Sequence, residues 1–114
     1  MNCSIIVLQE FSHQVKKLAK KYKKIKEDLK NLSEELKNDP KVGISLGEYL
    51  YKIRVANSSI PTGKRGGFRV IYYYLDTKNN IYLINIYSKT EQQNINEAEL
   101  YNILKNNNLT KEKS

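Results

Sequence analysis

Between residues 11 and 36 the apolar positions fall at Phe11, Val15, Leu18, Tyr22, Ile25, Leu29, Leu32 and Leu36. This unbroken 4-3-4-3 spacing places all eight on one face of an α-helix. One straight helix over those residues would be about 39 Å long at 1.5 Å per residue. A compact chain of this length has a radius of gyration of only about 13 Å. The pattern therefore predicts two helices folded back as an antiparallel hairpin, with the turn near Lys23 and Lys24, although neither glycine nor proline marks it. Ahead of the hairpin, residues 4 to 8 (SIIVL) read as a short strand. Behind it, NDPKVG brings together Asn38, Asp39, Pro40 and Gly43, all turn formers, and ends the helical part.

The second half changes period. In YLYKIRVA, Tyr49 to Ala56, strand alternation puts Tyr51, Ile53 and Val55 on one face and Leu50, Lys52 and Arg54 on the other. FRVIYYYLD and IYLINIYS follow, joined through Thr77-Lys78-Asn79-Asn80, a good hairpin turn. Both runs are almost continuously apolar or aromatic, which predicts central strands covered on both faces. A longer loop, NSSIPTGKRGG, separates the first two strands. A last helix is expected from about Asn96 to Lys105, with Asn96 or Asn94 as N-cap and Glu97 and Glu99 near the positive end of its dipole. The tail beyond it, NNNLTKEKS, has nothing to bury and is expected to fray. The expected fold is α+β: an N-terminal strand and helical hairpin packed on a small antiparallel sheet of about four strands, closed by a C-terminal helix.

Composition limits what such a fold can do. With 114 residues, 39% of them hydrophobic, the chain has enough apolar material for one domain and not for two, so residues 1–114 are read as a single domain. Twenty basic against twelve acidic residues give a net charge of +8, which suits a polyanionic partner. Cys3 is the sole cysteine, so no internal disulfide forms, and a lone thiol fits a reducing cytoplasm. No apolar run approaches the roughly 18 residues of a membrane span, so a soluble, intracellular protein with no membrane partner is expected.

Several chemistries are excluded by what the chain lacks. His13 is the only histidine and Cys3 the only cysteine, so an ordinary zinc site cannot be assembled, and neither a Cys-His nucleophile pair nor a metal or other cofactor is expected. TGKRGG is not a phosphate loop, because Ser58 stands where the first glycine should be and Arg65 where a Ser or Thr should follow the lysine. No acidic residue occurs from Tyr49 through Leu75, which rules out a carboxylate pair on these strands.

That acid-free window holds Lys52, Arg54, Lys64, Arg65 and Arg69, and so every arginine in the chain, among Tyr49, Tyr51, Phe68 and Tyr72 to Tyr74. Guanidinium groups bind phosphate through paired donors and aromatic faces stack on unpaired bases, a combination suited to single-stranded nucleic acid. Most of the tyrosines nevertheless read as core residues of the sheet. The lysine-rich VKKLAKKYKKIK reads as the solvated face opposite an apolar stripe.

YKIRVA, followed by GKRGGFRVIYY and then by INIYSKTEQQNI, resembles the RelE/ParE toxin superfamily of type II toxin-antitoxin systems, in particular its RelE- and HigB-like branch. The resemblance runs from Phe11 to about Leu104. It implies a RelE-like fold and a ribosome-dependent endoribonuclease (an mRNA interferase) that cuts messenger RNA without a metal, with the ribosome, messenger RNA and a cognate antitoxin as partners. Carried over by position, it implies a catalytic set of Lys52, Arg54, Arg69 and Lys89. Attack of a ribose 2′-hydroxyl on its own phosphate needs a base, an acid for the departing oxygen and charge to stabilise the phosphorane. Lys52, read as lying between Arg54 and Arg69, is the candidate base. Arg69 would stabilise the phosphorane, with Lys89 or Arg54 assisting the leaving group. Lys64 and Arg65 would grip the RNA backbone. Related nucleases carry a base-stacking tyrosine beyond the last basic position, where this chain reads Gln92-Gln93-Asn94-Ile95, leaving Tyr87 as the candidate substitute. The alternatives are a ParE-like member that poisons DNA gyrase without cutting RNA, and a silent member that only binds its antitoxin.

Overall fold

A computed structural model describes residues 3–61, 65–92 and 94–109. In chain order the elements are β1 (Ser4–Val7), α1 (Gln9–Ala19), α2 (Ile25–Asn38), β2 (Ile44–Gly47), β3 (Leu50–Val55), β4 (Phe68–Leu75), β5 (Asn80–Ser88) and α3 (Glu97–Asn106), with a 3-10 turn at Asp76–Lys78 between β4 and β5. The strands form one sheet in the order β1-β5-β4-β3-β2. β1 runs parallel to β5 and every other pair is antiparallel, so the sheet is mixed. No helix among the described residues is long and apolar enough to cross a membrane.

The helical hairpin turns within residues 20–24, around Tyr22. The Tyr22 amide still bonds back to Leu18 and the Ile25 amide bonds to Tyr22. Tyr22 therefore stays buried on the core face while the chain reverses, which is why the apolar stripe passes through the turn without a break. Phe11, Tyr22, Ile25, Leu32 and Leu36 pack on Ile53, Val55, Phe68, Val70, Tyr72, Tyr74, Ile81, Leu83 and Ile86 of the sheet. On the opposite face, Ile103 and Leu104 of α3 join Leu8, Ile71, Tyr73 and Ile84. Burial from both sides accounts for the nearly unbroken apolar runs of β4 and β5. Where β1 ends, the exposed edge of β5 is covered by α1, and the Ile86 amide donates to Gln14 Oε1 at 3.0 Å. The α3 N-cap is Asn96, whose side chain accepts from the Glu99 amide at 3.1 Å.

The sheet has five strands rather than about four. The additional strand, β2, is exposed along its whole length, with Ile44 65% and Leu46 46% accessible, so it shows no alternation between a buried and a wet side. Its connection to β3 is the two-residue loop Glu48-Tyr49, with φ of 53° and 70°, the backbone of a type I′ hairpin turn without the usual Asn-Gly. The link from α2 to β2 is pinned by Tyr72, whose hydroxyl donates to the Pro40 carbonyl at 2.8 Å and accepts from the Gly43 amide at 3.0 Å. A Cβ on Gly43 would stand 2.9 Å from that hydroxyl, so glycine is required there. The Tyr72 ring stacks on Tyr51 at 5.2 Å, and burial pushes its phenol up to about 12.

Candidate functional site

Arg54 on β3 pairs directly with Arg69 on β4, and Arg69 pairs in turn with Tyr87 on β5. Directly opposed residues in a sheet share a face, with Cβ atoms about 4.5–5.5 Å apart, so the three form one row. It lies on the α3 side, because Phe68 and Val70, the neighbours of Arg69, face the helical hairpin. Like charges facing one another across strands are unfavourable. An oxyanion bound over the pair would relieve that repulsion.

Arg69 is only 7% exposed. Its guanidinium donates to the carbonyls of Phe68 at 3.2 Å and Arg65 at 3.1 Å, which locks it against its own strand and the incoming loop. Burial first, and then the charge of Arg54, hold the guanidinium below its ordinary range. Arg54 is exposed, and no described carboxylate is ion-paired with it. The row thus combines a fixed, desolvated cation with a solvent-facing one.

Lys89 follows the last residue of β5, and its amide donates to the Gly67 carbonyl at 2.9 Å. This pairing extends the β4–β5 ladder by one step and brings Lys89 to the same end of the sheet as Arg69. It also engages the backbone of the double glycine with β5. Arg65 is exposed and contributes its carbonyl to Arg69. Lys64 lies outside the described residues. Lys52 stands not between the two arginines but two residues along β3, opposite Ile71. There it lines an open groove of about 600 Å³ between the sheet and α3, with Leu46, Leu50, Leu100 and Tyr101.

Tyr87 differs from the expectation of a stacking platform. The residue is 4% exposed and its hydroxyl donates to Asn94 Oδ1 at 3.4 Å. Burial pushes its phenol up, against the opposing effect of Arg69. As placed, it offers support to Arg69 rather than an open aromatic face. Asn85 was missed by sequence reasoning, although a lone asparagine inside IYLINIYS is a legible interruption. It is buried opposite Ile71, and its Oδ1 has no hydrogen-bond partner among the described residues.

The loop leading toward Arg65 is fastened to the start of α2. Asp28 accepts from the Ser58 amide at 3.0 Å and the Ser58 hydroxyl at 2.7 Å, and the Lys24 amide donates to Ser59 Oγ at 3.0 Å. The start of α2, the β3–β4 strand pair and the turn after β5 thus hold the backbone on either side of Arg69.

The model of the RelE toxin of the RelE / RelB toxin-antitoxin system matches residues 10–113. The chain belongs to the RelE toxin family. An antitoxin partner follows from that membership. Among solved structures, an arginine-to-alanine double mutant of the E. coli toxin RelE in the free state shares 18% identity with this RelE-family toxin. That match has a TM-score of 0.58 and covers 94% of this chain and 98% of the other. A crystal structure of the isolated E. coli RelE toxin shares 17% identity, with a TM-score of 0.56 over 90% of this chain and 97% of the other. At such identities the likeness concerns the fold, and the α+β architecture agrees with it.

Proposed function

We propose that this RelE-family toxin is an endoribonuclease that cuts messenger RNA on the ribosome by intramolecular transesterification. The observation that carries the reading is the cross-strand Arg54–Arg69 pair, one member buried and fixed and the other open to solvent, with Lys89 brought to the same end of the sheet. In the reaction the ribose 2′-oxygen forms a bond to the adjacent phosphorus and the bond from phosphorus to the 5′-oxygen breaks. The products are a 2′,3′-cyclic phosphate and a 5′-hydroxyl. Lys52, acting as the neutral amine, receives the 2′-hydroxyl proton and becomes the ammonium ion, and Lys89 or Arg54 supplies the proton or charge that the departing 5′-oxygen needs. Arg69, whose donors are held in place before the substrate arrives, stabilises charge on the pentacoordinate phosphorus. Lys64 and Arg65 hold the RNA backbone, and Tyr87 backs Arg69 from the neighbouring strand.

The antitoxin would silence this face by covering it with acidic or extended chain. The toxin is tested by expression in bacteria and by incubation with programmed ribosomes, followed by primer extension. New in-frame 5′ ends that form only when ribosomes are present are expected. Arrested translation with intact transcripts would overturn the nuclease reading, and DNA-damage signalling with intact messenger RNA would replace it with gyrase poisoning.

A further inference from the structure

The turn that follows β5 is tied to the helical hairpin through residues far away in sequence. The amides of Glu91 and Gln92 both donate to the Ser88 carbonyl at 3.0 Å, closing a turn that contains Lys89. The Tyr22 hydroxyl donates to Glu91 Oε2 at 2.8 Å and lies 3.3 Å from Ser88 Oγ, which in turn lies 3.0 Å from Thr90 Oγ1. Lys21 Nζ donates to the same Glu91 oxygen at 3.1 Å. These bonds hold the Glu91 carboxyl below its ordinary range, with Tyr22 the larger cause. The Tyr22 ring is buried and meets Phe68, the residue before Arg69, edge-on at 5.5 Å. One side chain therefore touches both the start of the strand that bears Arg69 and the turn that bears Lys89.

We propose that Tyr22 and Glu91 form a positioning clasp that holds the 88–92 turn so that Lys89 stands at the Arg54–Arg69 row. The clasp deepens the nuclease reading and rests on it. Neither residue reaches the RNA, and each acts through Lys89. A shared hydrogen-bonded cluster of this kind makes its effects non-additive with those of the residue it orients.

Tyr22→Phe keeps the buried ring and removes only the hydroxyl, whereas Glu91→Ala removes the acceptor from an accessible position where the fold is not at risk. Each should lower single-turnover cleavage of ribosome-bound messenger RNA about tenfold or more, as small misplacements of reacting groups do. The thermal midpoint should stay within a few degrees of the parent. Glu91→Gln, which retains an oxygen for the Tyr22 hydroxyl, should recover most of the rate. In a Lys89→Ala background, Tyr22→Phe should cause no further loss. An undiminished rate in both variants, or losses that multiply in the Lys89→Ala background, would overturn the clasp. If the parent itself makes no cuts, the nuclease reading fails, and the clasp is then judged on amide exchange. Exchange at Glu91 and Gln92 should be about tenfold faster in Tyr22→Phe, and unchanged exchange would dispose of the clasp independently.

Discussion

The two faces of β4 have been given different tasks. Toward the helical hairpin it presents Phe68, Val70, Tyr72 and Tyr74, all in the main core. Toward α3 it presents Arg69, and then Ile71 and Tyr73 in a smaller core beneath Ile103 and Leu104. The hairpin spans two helices of 11 and 14 residues, whereas α3 has only 10. A strand's period of two thus divides labour: one face is sealed along its length, and the other carries its cation where the shorter helix does not have to pack. Changes on the first face should act on folding and changes on the second on chemistry.

The sharpest break on the sealed side is Phe11→Ala. Truncating this buried ring should cost about 3–5 kcal/mol, enough to abolish a cooperative melt and, with it, antitoxin binding. A variant that melts like the parent would show the hairpin face to be dispensable. On the other face, Arg69→Ala should lower cleavage by 10² to 10³, about 3–4 kcal/mol of transition-state stabilisation, with the melting midpoint within a few degrees. The change also removes a buried charge facing Arg54, which offsets the lost packing. A folded variant that cuts at the parental rate would remove Arg69 from the chemistry. An unfolded one would move it to the structural side of the comparison.

Smaller changes sharpen the contrast. Tyr72→Phe should destabilise by about 1–3 kcal/mol, because the Pro40 carbonyl and Gly43 amide lose their shared partner, while leaving cleavage intact. Its pH dependence has a definite sign. The folded phenol at about 12 lies above the ordinary value of 10.0, so its contribution is complete below pH 10 and is lost as pH rises toward 12. Denaturant titrations should show the parent losing more stability than Tyr72→Phe across that window, and equal losses would contradict the assignment. The smallest effect is expected at Glu48→Asn. Asparagine tolerates the left-handed backbone of that hairpin turn, and a gain of about 0.5–1 kcal/mol in urea unfolding should follow. A loss would mean that the turn relaxes in solution.

What could be read from the chain follows the range of the forces involved. The hairpin stripe, the two-sided β4 and β5 and the Asn96 cap are local patterns and were legible. β2 was not, because an exposed edge strand carries no burial signal and Glu48-Tyr49 is not turn chemistry. The direction of β1 was also hidden, since its neighbour β5 lies far along the chain. In the site, the absence of acids drew attention to Arg54 and Arg69, which the sheet sets opposite one another. Their geometry depends on the β3–β4 register, which a long loop leaves unspecified, so the opposition of Arg54 and Arg69 and the offset of Lys52 were not legible. The burial of Tyr87 and the meeting of Tyr22 with Glu91, 69 positions apart, had no sequence signature.

The parallel pairing of β1 with β5 sets a timetable for synthesis. Cys3 and its hydrogen-bond partner Asn79 are 76 positions apart, and at about 5–20 residues per second the ribosome takes roughly 4–15 s to make the intervening chain. Throughout that interval β1 has no strand to join, the sheet lacks its β5 ladder, and Lys89 does not yet exist. A nascent toxin therefore passes most of its elongation unable to complete its fold, and potency arrives only as the last third of the chain emerges.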